Sequence, residues 1–331
     1  MSEEPTIYEV AAKASVSIST VSLALNHPDR VKPTTLSRIL GVADEIGFVP
    51  KERAVVRARR GLGRIAAVGP FSSYPSYMRR LAGALDEIDD SGTQLLVYDY
   101  EDVSVSGSPL LSSLPVRGHV DGLIIMGVEV GGEVTDRLLS RLPAVLLDIR
   151  HPVLPSVYVD DFAGASAVGA HLQRAGHARV AFIGEVEAVT VEASPVERRL
   201  RGLEEGFGQE GIRSIIMPRT EGAESRAVDE LLASAADGPV TAIFAYRDLV
   251  GVRIVRELRK RGIRVPEEME VIGYDDDPMA EATGLSTVRH PFEESGRAAV
   301  RLLQQMVSTS TKTAESIQLP FELVLRDTTR G

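Results

Sequence analysis

The chain has 331 residues, 44% hydrophobic and 25% charged, with a net charge of -10 and neither cysteine nor tryptophan. That composition excludes a disordered or collagen-like chain, disulfides, thiolate metal sites and cysteine nucleophiles, and its length predicts about two domains. No apolar run approaches the ~18 residues of a spanning helix, and MSEEPTIYEV has no apolar h-region, so neither a membrane span nor a signal peptide is expected. The charge is uneven. Residues 1–64 carry ten basic and seven acidic side chains, and five of those ten lie within Arg53–Arg64. A basic amino-terminal module on an acidic body is the footprint of a polyanion-binding protein, or equally a solvated charge fluctuation; the clustering favours phosphate contact.

Thr6-Ile7-Tyr8-Glu9 fits a capping box and predicts a helix from Ile7 to about Lys13. Ala14-Ser15-Val16 breaks it, and Ser17 caps a second helix to about Leu25. Pro33 suits a first helical position, so a third helix is predicted to Ile46, stopped by Gly47. Val10, Ala11, Val16, Val21 and Leu25 supply the apolar face. Three short helices with a tight first turn suggest a helix-turn-helix, an outline many small helical domains share.

The residues themselves are more specific. Ile7-Tyr8-Glu9-Val10-Ala11, the run Ser15 to Asn26 and Ile46-Gly47-Phe48-Val49-Pro50 resemble the DNA-binding headpiece of LacI/GalR (lactose-repressor-type) regulators. The resemblance implies that the second helix enters the major groove, with Ile18, Ser19 and Leu23 facing base edges. Ile18 and Leu23 can read only thymine methyls or shape, and Ser19 pairs ambiguously. Thr6, Ser17, Thr20, Ser22 and Asn26 are expected to position the headpiece on phosphates, Thr6 and Ser17 while also capping helices. Many relatives carry Arg where Leu23 stands, and Gly where Ser15 stands.

Residues 51–63 form the expected linker between a headpiece at 1–50 and a body at 64–331. In the family this segment folds on the operator as a hinge helix with a leucine wedge; here the wedge position is Arg57. An arginine suits a narrow, electronegative minor groove better than unstacking a base step. A disordered basic linker is the alternative.

In the body, strands are predicted at 65–68, 94–99, 122–126, 145–149, 180–184, 214–217, 242–245 and 271–274, with helical stretches such as 78–89, 162–175 and 250–261 between them. That alternation indicates parallel α/β sheets. Val159-Asp160-Asp161, Gly176 to Gly184, Arg199-Leu200-Arg201-Gly202, Val271 to Asp276 and Leu285 to Pro291 extend the family resemblance over nearly the whole chain. It implies an all-α helix-turn-helix headpiece followed by an α/β, periplasmic-binding-protein-like domain of two Rossmann-like lobes joined by three crossovers.

Ligands of such folds bind at the carboxyl ends of strands. Carried over residue by residue, the resemblance assigns Asp148, Arg199, Asp275, His290 and Phe292 to an effector pocket between the lobes. Phe71, Tyr74 and Tyr77 are candidate stacking rings, Phe71 equally a core residue. Arg247 stands where relatives carry Asn; it either pairs with Asp275 or meets a carboxylate or phosphate of the effector.

Enzyme readings are weak. Asp275-Asp276-Asp277 lacks partners at metal-ligand spacing, the six histidines form no HExxH pattern, and no phosphate loop or nucleophile elbow is present. No cofactor or metal is expected. The sequence therefore predicts a cytoplasmic, nucleoid-associated regulator, more readily a repressor. It would bind a near-palindromic operator as a homodimer, with no tetramer-forming tail, under control of a sugar or sugar derivative. A small-molecule sensor with degenerate operator recognition is the alternative, motivated by Leu23 and Arg57.

Overall fold

A computed structural model describes residues 5–48, 63–89, 92–100, 109–117, 119–186, 194–233, 238–311 and 315–330. Arg57 and nearly all of the expected linker lie outside them.

The headpiece follows its capping chemistry. Helix α1 (Ile7–Lys13) starts at Thr6, whose Oγ1 accepts from the Glu9 amide at 3.4 Å while Glu9 Oε2 accepts from the Thr6 amide at 2.7 Å. The turn that follows puts Ser15 at φ 52°, the left-handed region that explains the family's glycine. Ser17 Oγ accepts from the Thr20 amide at 3.1 Å and opens α2 (Ile18–Asn26), one residue longer than predicted. A 3₁₀ turn (Pro28–Arg30) leads into α3 (Pro33–Glu45), which ends against Gly47 at φ +66°. Val10, Ala11, Val21, Ala24, Leu25, Leu36, Ile39 and Leu40 pack together and are buried, so the three helices share one small core.

Strands and helices then alternate. They run β1 (Arg64–Gly69), α4 (Pro75–Ile88), β2 (Gln94–Asp99), α5 (Pro109–Arg117), β3 (Gly122–Met126), α6 (Gly132–Arg141), β4 (Ala144–Leu147) and β5 (Ser156–Val159). Next come α7 (Asp161–Arg174), β6 (Val180–Glu185), α8 (Pro195–Phe207), β7 (Ile212–Met217), α9 (Ala223–Ala233), β8 (Ala242–Ala245) and α10 (Asp248–Lys260). The series closes with β9 (Glu270–Ile272), α11 (Pro278–Thr283), β10 (Thr287–Arg289), α12 (Phe292–Ser308), β11 (Ile317–Leu319) and β12 (Glu322–Val324).

Two units emerge, residues 1–158 with 292–317, and residues 159–291 with 318–331, so the chain passes from one to the other three times. The first holds the headpiece and a lobe whose parallel strands run β5-β4-β3-β1-β2. Its β1 and β3 are buried on both faces, as parallel strands covered by helices must be. Helices α4 and α12 cross there at very close range: a Cβ on Gly83 would sit 1.9 Å from the Glu293 carbonyl oxygen, and one on Gly296 1.9 Å from that of Arg80. The second unit is a lobe with parallel strands in the order β7-β6-β8-β9, extended by an antiparallel β10-β12 pair.

Two predicted strands end earlier than expected, each ahead of an aspartate in the left-handed region. β4 ends at Leu147 because Asp148 takes φ 65°, and β9 ends at Ile272, ahead of Asp275 at φ 111° and Asp276 at φ 54°. Non-glycine residues held in the left-handed region are uncommon and cluster at functional sites. Both shortened strands thus deliver a carboxylate at their carboxyl ends.

Candidate functional site

The first candidate surface is α2. Its Val21, Ala24 and Leu25 face the core, which by helical geometry turns Ser19, Leu23 and Asn26 outward, while Ile18, in line with Val21 and Leu25, is exposed as the first residue of the helix. Ile18 is 43% and Leu23 37% exposed, and Ser19 and Asn26 are exposed as well. The hydroxyls divide. Thr6 and Ser17 cap helices, Thr20 Oγ1 lies 2.8 Å from Ser17 Oγ, and Ser22 Oγ accepts from Asn26 Nδ2 at 3.3 Å.

The second candidate group lies in the first lobe, at the carboxyl end of β4. Asp148 forms an ion pair with Arg80, a residue that sequence reasoning passed over. Arg80 is 3% exposed, and its guanidinium lies 4.2 Å from the centroid of the Phe292 ring and 4.9 Å from that of Tyr77. Arg79 covers Phe292 at 4.9 Å and grips Glu293 with Nε and Nη2 at 2.8 and 3.0 Å. Phe292 is therefore a buried anchor, 1% exposed, and not an open stacking face. Phe71 is buried too, whereas Tyr74 is half-buried and meets Tyr77 edge-on with centroids 6.0 Å apart.

The third group lies in the second lobe, around the ends of β6, β8 and β9. Arg199, on α8, is fully engaged by its own chain. Its Nε donates to Asp161 Oδ1 at 2.9 Å, Nη1 donates to the Tyr246 carbonyl at 2.5 Å, and Nη2 reaches Asp275 Oδ1 at 3.4 Å. The guanidinium lies 3.7 Å from the Tyr274 ring centroid. Burial pushes the Asp161 carboxyl up, but Arg199, Arg198 and His290 outweigh it and hold the group down at about 2. Burial opposes the charge of Arg199 as well; Asp161 and Asp275 reverse that and raise its pKa.

Arg247 does not pair with Asp275. Its Nη2 donates to Glu185 Oε2 at 2.6 Å, an oxygen that also accepts from the Tyr246 hydroxyl at 2.5 Å and lies 3.6 Å from Arg219 Nε. The reason is geometric: Glu185 ends β6, and β6 is the direct neighbour of the strand that Tyr246 and Arg247 follow. Burial raises the Tyr246 hydroxyl's pKa, with Glu185 adding to the effect.

Asp248 is completely buried. It accepts from Thr287 Oγ1 at 2.6 Å and from the Asp277 amide at 2.7 Å, and burial raises its pKa well above the ordinary carboxylate value. Asp276 is held by Arg326 at 2.6 Å and Arg289 at 2.7 Å, which turns this aspartate away from ion binding and toward pinning β10. His290 is buried close by, its amide donating to the Asp275 carbonyl at 3.4 Å.

The predicted effector residues thus fall into two sets. Phe71, Tyr74, Asp148 and Phe292 gather in the first lobe, and Arg199, Arg247, Asp275 and His290 in the second. Arg80, Glu185, Asp161, Asp248 and Tyr246 were missed. Two of them carried a signal: Asp161 as the second acid of the Val159-Asp160-Asp161 motif, and Asp248 as the aspartate that usually follows the Arg247 position in the family.

A headpiece with an exposed reading face, followed by two α/β lobes with charged strand ends, agrees with comparison to known proteins. A model of bacterial regulatory proteins of the lacI family matches residues 6–51, and a periplasmic binding protein-like domain matches residues 170–329. The headpiece is of the lacI family. Among lacI-family relatives, the HTH-type transcriptional regulator DegA of Bacillus subtilis (strain 168) is 29% identical over 98% of both chains. Catabolite control protein A of Priestia megaterium is 28% identical over 98% of this chain and 99% of its own. The solved complex of the transcriptional regulator CelR with cellobiose is 26% identical, with a TM-score of 0.66, over 98% of this chain and 100% of that one. By these matches the chain is a transcriptional regulator with a DNA-binding headpiece and a periplasmic-binding-protein-like body.

Proposed function

We propose that this regulator is a repressor, that it binds a near-palindromic operator as a homodimer, and that a sugar or sugar derivative sets its affinity. The observation that carries the DNA half is α2: Ser17 fixes its start, the core takes one face, Ser19 and Leu23 project from the other, and Ile18 is exposed at its first turn. Apolar Ile18 and Leu23 favour thymine-rich half-sites, and Thr6, Ser17, Thr20, Ser22 and Asn26 position the headpiece on phosphates. Arg57, outside the described residues, is proposed as a minor-groove contact in place of an apolar wedge.

For the effector, two clusters support a polyhydroxylated ligand. Asp148 and Asp275 supply acceptors for hydroxyl pairs, Arg247 supplies a planar donor and Tyr74 supplies aromatic surface, while Arg199 holds Asp275 in place. The solved complex of CelR with cellobiose supports the same class. Because Arg247 is neutralised by Glu185, it does not by itself call for an anionic effector. An effector regulates only if it binds the DNA-competent and DNA-incompetent arrangements unequally. The side chains named here bind and position, and none is assigned a catalytic role; the site of action is the cytoplasm.

Fluorescence anisotropy tests this reading. Palindromic fragments are selected from a random DNA pool and compared with a shuffled control at about 150 mM salt. The expected result is binding to the enriched palindrome about 10³–10⁷-fold tighter than to the control, shifted by members of a panel of sugars, sugar acids and sugar phosphates. Equal, weak binding to both DNAs refutes it.

A further inference from the structure

The headpiece does not stand apart from the first lobe. Val116 of α5 is completely buried as part of the headpiece's own apolar cluster, alongside residues such as Leu25, Leu36 and Phe48. Beside that contact, two arginines of α6 close on the end of α3. Arg137 Nε donates to Asp44 Oδ2 at 2.8 Å, and its Nη2 is steadied by Glu133 Oε1 at 2.6 Å. Arg141 Nε lies 2.8 Å from Asp44 Oδ1, Nη2 donates to the Ala43 carbonyl at 2.7 Å, and Nη1 to the Phe48 carbonyl at 2.9 Å. Arg137 and Arg141 are one helical turn apart and so share a face. Their side chains are only 8% and 11% exposed, and the Ala43 carbonyl that Arg141 takes belongs to the carboxyl-terminal end of α3, where a cation is favoured.

This arrangement leaves Ile18, Ser19, Leu23 and Asn26 exposed. The contact therefore aims the reading face and does not cover it. We propose that Arg137 and Arg141 are positioning residues for operator binding: through Asp44 they clasp the headpiece to the first lobe, so that the lobe sets where each headpiece meets DNA. The inference rests on the regulator reading given above. Its consequence is a strict half-site spacing, because a clasped headpiece cannot swing to follow a displaced half-site. A change in the lobe is then also transmitted to the headpiece through side chains, in addition to the linker.

The test uses the full chain with Arg137→Ala/Arg141→Ala, which leaves every headpiece residue intact, and Asp44→Asn as the reciprocal change. Without DNA, hydrogen exchange read by mass spectrometry is expected to speed up by about tenfold at the end of α3 in both variants, with β1 and β3 unchanged. On DNA, the palindrome selected by the wild-type protein is compared with versions carrying one or two inserted base pairs between half-sites. Wild type is expected to lose at least about tenfold on one insertion; the variants lose no more than about threefold, with single half-site affinity unchanged. A purely structural role would not alter spacing dependence. Unchanged exchange overturns the clasp, and faster exchange with wild-type spacing dependence overturns the positioning role. A wild-type protein that selects no sequence overturns the regulator reading and the positioning role with it, while the exchange comparison still decides the clasp.

Discussion

Replacing Arg199 with methionine keeps the bulk of its stem and removes the guanidinium. Asp161 then remains in a buried site with Arg198 as its nearest cation, at 3.2 Å, and the Tyr246 carbonyl and Asp275 lose a donor. Breaking a buried pair from one side costs about 3–5 kcal/mol, because the remaining charge is stranded. For a lobe of about 150 residues, each kcal/mol lowers Tm by roughly 2–4 °C, so the melting transition of the second lobe should fall by roughly 6–20 °C. The control is Arg199→Met combined with Asp161→Asn, which removes the stranded charge and should recover part of the loss; the difference measures the coupling of the pair. Differential scanning calorimetry of the full chain follows both. A single variant melting within about 2 °C of wild type, or a double variant no more stable than the single one, would refute the reasoning. Arg199 would then be a ligand group held in reserve and not the tie among Asp161, Tyr246 and Asp275.

Gly83→Ala should destabilise the first lobe by at least about 1–3 kcal/mol, read as a lower urea midpoint, since its Cβ meets the Glu293 carbonyl, which is backbone and yields little; an unchanged midpoint would disprove the close crossing. Ser15→Gly should stabilise the headpiece by about 0.5–1 kcal/mol by relieving a left-handed serine, and lower thermal stability would count against that turn. The Asp161 carboxyl sits at about 2 in the folded protein against 3.8 ordinarily, so the unfolded chain binds the proton first and acid favours unfolding. Its contribution, roughly 2 kcal/mol, is present above about pH 4 and lost as the pH falls toward 2; Asp161→Asn should flatten that limb of a pH–stability curve. Leu23→Arg adds a donor fork to the reading face, and selection from a random pool should then enrich guanine at one position per half-site; an unchanged logo would remove Leu23 from that face.

The headpiece was legible nearly to the residue because its limits are set locally. Thr6, Ser17 and Pro33 carry their helix-starting chemistry in their own side chains, and α1 runs over Ile7–Lys13 as the capping box predicts. Strands β2, β3 and β8 were legible as apolar runs with the observed limits. Strands β5 and β10 to β12, three or four residues with a polar side chain in each, went unread, whereas the equally short β4 and β8 are wholly apolar. The site fared less well wherever a partner is distant in sequence. Nothing near Arg247 announces Glu185, 62 residues away, and Arg80 looks like an ordinary helix cation until Asp148 and Phe292 are brought to it. Phe292 was assigned to the ligand because its position matches the family motif; its burial under two arginines depends on helix packing that no local pattern encodes.

The threefold passage between the two units also sets a timetable for the ribosome. The first lobe needs α12, whose Leu303 lies against Gly122 of β3, yet residues Val159–Pro291 are translated before it. At elongation rates of about 5–20 residues per second, that interval is roughly 7–27 s. Throughout it the headpiece and β1 to β4 have already been translated, while the face that α12 will cover has no partner. The nascent chain therefore carries a DNA-reading module on an unfinished lobe, and its vulnerability to aggregation and to chaperone capture is greatest in that window.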